Sequence, residues 1–317
     1  MTFHDTDLVL EARGLTKTFR RGERAVDGLD LELAAGSTMG LIGRNGAGKT
    51  TTMRMILALL RPDSGTARVF GHSLWTAPAS VRERVTYVSQ DQNLYPWMTL
   101  AELCRFAATQ YSRWDAAYAG RLARGFAIPT NDPVGVLSGG ERRKASILLA
   151  LAARPDLIVL DEPAAGLDPV ARRELIDALV DILSERPDGT LLFSTHIISD
   201  LERIVDRVGI MDRGRMVLSG AVDDLKTRTR RVQLIFEGGH VPPGFRLSGA
   251  KRMEIDGPVV SAIVELADED GGEAELEALA ARHSARLHLF PLGLEDLFIE
   301  TVGGAAWTAD ELSEATS

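Results

Sequence analysis

The chain holds a single cysteine, Cys104, in 317 residues. That excludes an internal disulfide and fits a reducing compartment. Lysine is also scarce, five against 31 arginines. Long apolar runs are missing too. The longest, such as "ASILLALAA" at 145–153, fall far short of the roughly 18 residues a membrane span needs. The N-terminal "MTFHDTDLVL" lacks the basic-then-apolar layout of a secretion signal. These absences give the expectation of a soluble, cytoplasmic chain that reaches a membrane only by docking on something already there. Finally, neither the first 220 residues nor the remainder has a net basic surplus. Residues 1–220 carry 27 basic and 27 acidic side chains, whereas 221–317 carry 9 and 18, so the net charge of −9 sits in the last third. A net negative surface repels phosphate backbones, so no nucleic-acid partner is expected there.

What is present suffices for sizeable cores: 45% of residues are hydrophobic and 26% charged, in a length that allows two or three domains. "DLVLEA" and "LDLELA" alternate like paired strands. "STMGLIG" is a short apolar strand, and 49–60 turns helical until "RPDSG" stops it. "TARVFG" and "VTYVS" read as strands, 99–126 as mostly helical, and "ERRKASILLALAA" as a helix. "DLIVLDEP" and "TLLFST" are apolar without alternation, as in parallel strands covered on both faces. Between them, Leu175, Ile176, Leu179, Val180 and Leu183 mark the apolar face of a helix. "VGIMDRG" and "RMVLSG" suggest a strand pair about Arg213-Gly214. Strands alternating with helices imply an α/β fold with a mainly parallel sheet. After Asp223 the pattern weakens to two strands, a helix, a strand and a helix, a small α+β appendage, and 304–317 reads as a flexible tail.

Three motifs carry chemistry. "GRNGAGKTT" spans Gly43, Arg44, Asn45, Gly46, Ala47, Gly48, Lys49, Thr50 and Thr51. It follows a strand and opens a helix, the context in which glycine-freed backbone amides wrap a phosphate. Lys49 can reach the β- and γ-phosphates and Thr50 can hold Mg²⁺; the plain alternative is a glycine-rich turn before a core helix. "LIVLDEP" ends a buried strand in two acids. Asp161 suits Mg²⁺ or its water, and Glu162 suits activation of an attacking water; the alternative is an acidic helix cap. "LSGGE" places Ser138, Gly139 and Gly140 before a long helix, a second anion site of the same physical kind, or a plain serine N-cap. One nucleotide needs one P-loop, so a second such helix end suggests contact from another chain. His283 and His288 lack a metal-ligand spacing and read as structural.

With these motifs in this order, residues 8–220 resemble the ATP-binding subunits of ABC transporters, for which LSGG is the signature. The resemblance implies that Gln90 is the Q-loop glutamine, with Gln92 the less favoured alternate. It implies that Asp168 closes the D-loop "AAGLD", that His196 in "STH" is the switch histidine, and that Phe19 stacks on adenine. It further implies a P-loop NTPase ABC ATPase core over 1–220, with an antiparallel N-terminal β-subdomain, a helical subdomain at about 91–150, and an accessory α+β domain at 221–303. The implied assembly is a head-to-tail homodimer with two ATP and Mg²⁺ in its interface. Each ATP lies on one P-loop and the other chain's Ser138-Gly139-Gly140. His196 would contact the γ-phosphate and Gln90 the Mg²⁺ or water. Two departures stand out: Ala165 where the D-loop usually has serine, and Glu141 where the signature usually continues with glutamine.

The resemblance also implies an integral membrane permease partner and a peripheral place on the inner face of the cell membrane. "SRWDAAYAGRLARGF", "GLDPVARREL" and "LEDLF" are similar to exporter subunits with a separately encoded permease, of drug- and antibiotic-resistance, bacitracin- and acetoin-linked kinds. The rivals are an importer subunit or a soluble ABC ATPase of repair or translation. Repair members split these motifs with long coiled coils, and translation members carry two cassettes. This chain has one cassette and little more than a hundred residues from P-loop to Asp161. "LYPWMTL" then poses a choice. Pro96 holds Tyr95 extended, so Tyr95, Trp97 and Met98 either face the permease or, for Trp97, fill the core.

Overall fold

The computed structural model describes residues 8–19, 22–91, 94–185, 189–198, 203–266 and 269–302. The alternate glutamine Gln92 and the expected tail at 304–317 lie outside them. In chain order the elements are β1 (Leu8–Thr18), β2 (Arg24–Ala34), β3 (Thr38–Gly43), α1 (Lys49–Ile56), β4 (Ser64–Val69), α2 (Ala79–Arg82), β5 (Val85–Val88), α3 (Leu100–Ala108), α4 (Ala116–Gly125), α5 (Gly139–Ala152), β6 (Leu157–Asp161) and α6 (Pro169–Ser184). They continue with β7 (Thr190–Thr195), β8 (Arg207–Asp212), β9 (Arg215–Ala221), α7 (Val222–Arg228), β10 (Thr229–Phe236), β11 (Ala250–Asp256), β12 (Val259–Glu265), α8 (Glu269–Arg282), β13 (Ala285–Pro291) and α9 (Leu294–Val302).

The chain divides into two units, Met1–Ser219 and Gly220–Ser317. In the first, β1 pairs antiparallel with both β2 and β4. A six-stranded sheet runs β5-β6-β7-β3-β8-β9, with β5-β6, β6-β7, β3-β7 and β3-β8 parallel. Strands β3, β6 and β7 are buried at every residue, which explains why their sequences do not alternate. Leu10, Leu31, Leu33, Leu41, Met53, Met55 and Leu157 belong to one core that joins the antiparallel sheet, α1 and the parallel sheet. The P-loop, between β3 and α1, is thereby fixed at both ends.

Several local readings change. The helix after the P-loop ends at Ile56, not Leu60. Ala58 takes a left-handed conformation (φ 56°), and the amides of Leu59 and Leu60 turn back to the Arg54 carbonyl. This is a C-cap of the kind glycine usually signals, so the stop is silent in the sequence. The stretch 99–126 is two helices, because Asp115 caps a new start by accepting from the Tyr118 amide at 2.8 Å. In α6 the fully buried residues are Leu175, Ile176, Leu179 and Ile182, while Val180 and Leu183, expected on that face, are half-buried.

In the second unit four antiparallel strands run β11-β12-β10-β13. Val232, Leu234, Phe236, Phe245, Val260, Leu276 and Ala280 form a separate core. Helix α7 and strand β11 are additions to the sequence reading; the "KRMEID" of β11 carries too much charge to read as a strand. His283 packs edge-on against Phe245, with ring centroids 5.3 Å apart.

Candidate functional site

Glycine is imposed at two points of the P-loop by lack of room. A Cβ on Gly43 would lie 2.7 Å from the Met211 carbonyl oxygen, and one on Gly48 would lie 2.3 Å from that of Ala25. Gly48 also sits at φ 102°, which side chains rarely allow. Past this turn α1 begins at Lys49, so its unpaired N-terminal amides face the loop. The Lys49 ammonium is buried and donates to the Gly43 carbonyl at 2.6 Å. It also pairs with Glu162 Oε1 at 3.1 Å.

Asp161 closes β6 and is fully buried. Its Oδ1 accepts from Thr50 Oγ1 at 3.0 Å and Ser194 Oγ at 2.7 Å; its Oδ2 accepts from Tyr87 OH at 3.2 Å. Burial and the Asp161 charge push the Tyr87 phenol up to about 12, against a weaker opposing hydrogen bond from Arg54. The phenol therefore remains a donor throughout the physiological range.

Glu162 follows in a left-handed conformation, φ 47°, a strained state for a side chain of this size. Its amide donates to Ser194 Oγ at 2.9 Å, so one serine holds both acids. Its Oε2 meets His196 Nδ1 at 2.8 Å. Burial alone would raise the Glu162 carboxyl, but the His196 hydrogen bond and the Lys49 charge prevail and hold it below its ordinary value. An ionised Glu162 only accepts, so the shared hydrogen lies on Nδ1.

These groups open onto a cleft of ≈ 470 Å³ lined by Phe19, Glu23, Ala25, Asn45, Gly46, Ala47, Gly48, Lys49, Thr50, Thr51, Gln90, Glu162 and His196. Its size falls in the range of small-molecule sites. Gly43, Arg44 and Asp161 are not among these lining residues. Ser138, Gly139, Gly140 and Asp168 are not part of it. They are exposed or half-buried, and both helix ends are capped. Ser138 Oγ accepts from the Glu141 amide at 3.2 Å while Glu141 Oε2 accepts from the Ser138 amide at 2.7 Å. Asp168 accepts from the amides of Val170 and Ala171, each at 3.0 Å. Glu141 thus completes a capping box and places a negative charge on the helix N-terminus. Val136 and Val170, beside these caps, are 74% and 69% exposed.

Sequence reasoning missed Ser194 and Tyr87. Each is an ordinary residue in its strand, and only strand register brings it to Asp161: β6 and β7 pair Asp161 with Ser194. It also missed Glu23 and Ala25 in the cleft wall. For a cation, the candidate donors Thr50 and Asp161 are hard oxygens only, the set Mg²⁺ accepts. Among the described residues no cluster of three or more His, Cys, Asp or Glu is placed to hold a metal. Such an ion would complete its shell with phosphate oxygens and water, as Mg²⁺ commonly does. No helix among the described residues is long and apolar enough to cross a membrane.

The family model described as ABC transporter matches residues 26–165. Among curated proteins the chain is 39% identical over 227 residues to the daunorubicin/doxorubicin resistance ATP-binding protein DrrA of Streptomyces peucetius, covering 69% of this chain and 67% of that one. It is 32% identical over 309 residues to the Nod factor export ATP-binding protein I of Ralstonia nicotianae, covering 93% and 94%. Among solved structures, an ATP-binding subunit of an ABC transporter superposes with TM-score 0.61 at 30% identity, over 69% of this chain and 92% of that one.

Proposed function

The chain belongs to the ATP-binding subunits of ABC transporters and is an ATP hydrolase of that family, and from this premise we propose how its residues divide the work. Phe19 stacks on adenine. The amides of residues 43–51 and the N-terminus of α1 hold the phosphates, with Lys49 neutralising the β- and γ-oxygens. Thr50 and Asp161 would hold Mg²⁺, which would draw off phosphate charge, and Gln90 would contact that ion or the attacking water. Glu162 accepts a proton as the water oxygen bonds to the γ-phosphorus and the bond from that phosphorus to the β–γ bridging oxygen breaks. His196 contacts the γ-phosphate.

The observation that carries this reading is the convergence of Lys49, Glu162 and His196 within 3.1 Å contacts on one cleft. The test is Glu162→Gln. Nucleotide binding should survive while phosphate release falls by about 10²–10⁴-fold. Near-normal hydrolysis would overturn the assignment of the base.

The assembly is a head-to-tail homodimer in which Ser138, Gly139, Gly140 and Asp168 meet the ATP of the opposite chain. Their exposure apart from the cleft, beside exposed Val136 and Val170, supports this. Residues 1–220 form the ATPase domain with a helical subdomain at about 91–150, and 221–303 an accessory domain. The permease, an integral membrane protein, docks on Tyr95, Trp97 and Met98, which keeps the chain peripheral on the inner membrane face. Trp97 is 72% exposed, and Tyr95 lies between it and Phe106, at centroid distances of 5.4 Å and 6.1 Å. Exposed aromatics in contact favour an interface over a core. The resistance and export roles in the names of the two relatives support export as the direction. Trp97→Ala should leave ATP binding by the free subunit intact and weaken co-purification with the permease.

A further inference from the structure

The signature helix α5 carries a residue that none of these roles uses. Arg143 lies just over one turn inside α5 and is only 2% exposed, a rare place for an arginine. Its guanidinium reaches across to the end of β5. One terminal nitrogen donates to the Ser89 carbonyl at 2.9 Å, the other to the Gln90 carbonyl at 2.8 Å. Charge-assisted bonds from a rigid fork onto two successive carbonyls fix both position and orientation of the peptide they grip. That peptide is where the chain leaves the sheet and Gln90 turns to the cleft. The other end of the link is the helix whose first residues are Gly139 and Gly140. Burial pulls the guanidinium down from its ordinary value, and the charges of Asp161, Asp91 and Glu162 act against that.

We propose that Arg143 is a positioning residue that locks the Gln90 backbone to the signature helix, so that a shift of Gln90 in one site moves the Ser138-Gly139-Gly140 edge offered to the other. The proposal rests on the roles given above to Gln90 and to the signature. Its chemistry favours arginine: a planar fork holds the two carbonyls from two nitrogens in fixed orientation, whereas a lysine ammonium is a point charge on a flexible stem.

The test is a double-mutant cycle in the full chain, with steady-state ATPase rates, nucleotide affinity and thermal melting for Arg143→Gln, Arg143→Lys, Gln90→Ala and the double variant Gln90→Ala/Arg143→Gln. Arg143→Gln should lower kcat by about tenfold or more while nucleotide Kd stays within about twofold, since the P-loop is untouched. Arg143→Lys should recover part of kcat. In the Gln90→Ala background, Arg143→Gln should cost less than about twofold, because residues acting through one contact are non-additive. Full additivity with Gln90→Ala itself impaired overturns the coupling alone. An unimpaired Gln90→Ala overturns the role of Gln90 and the proposal with it. If both Arg143 variants lose the fold or nucleotide binding, Arg143 is structural and the proposal fails.

Discussion

Glu162 shows how much one residue is asked to satisfy. Its backbone is left-handed, its amide is tied to Ser194, and its carboxylate is shared by Lys49 and His196. Because its folded-state pKa lies below the ordinary 4.5, the ionised group stabilises the folded chain above that value. The contribution is lost as pH falls through the depressed folded-state value. Without nucleotide, the melting-temperature advantage of the wild type over Glu162→Gln should therefore be constant near neutrality and shrink below about pH 4.5. Ser194 makes a second expectation. Ser194→Ala removes one of three donors to Asp161 and frees the Glu162 amide. Losing a partner of that kind typically costs 10–100-fold in metal affinity or activity, so the Mg²⁺ concentration for half-maximal ATPase should rise about 10-fold or more. The acids themselves were legible in the sequence because two adjacent carboxylates at the end of an apolar strand are conspicuous. Their supports were not, because a serine in a buried strand looks like any other until the register of β6 against β7 is known.

The elements tell a similar story about what local sequence can carry. Strands β3, β6 and β7 and helices α5 and α6 announce themselves by apolar runs or by repeat. The end of α1, the break before α4 and strand β11 depend on an alanine in a glycine's conformation, one aspartate cap and a charged strand, none of which stands out in a single chain. The start of α5 illustrates two readings that coincide: Ser138 is an N-cap and, in the proposed dimer, the residue offered to the opposite ATP. Substitution separates them. Ser138→Asp keeps a good cap, so the melting temperature should hold, yet it sets a carboxylate against a γ-phosphate and should abolish ATP-driven dimerisation in sizing or scattering measurements. Ser138→Ala should instead cost about 1 kcal/mol of stability through the lost cap. A Ser138→Asp chain that still dimerises and hydrolyses ATP would leave only the cap.

For the molecule as a whole, the two units have separate cores and different charge, with 1–220 balanced and the acidic excess confined to 221–317. Nucleotide binds the first unit, so MgATP at about 100 times its Kd should stabilise that unit by about 2.7 kcal/mol. Calorimetry should show the transition of the first unit rising while that of Gly220–Ser317 stays where it was. The exposed Tyr95–Trp97–Phe106 cluster has a different consequence, one of supply. If a permease docks there as proposed, a subunit made in excess of it would carry an uncovered aromatic surface and tend to self-associate. Matched synthesis of the two proteins would thus protect the free chain as well as furnish the complex.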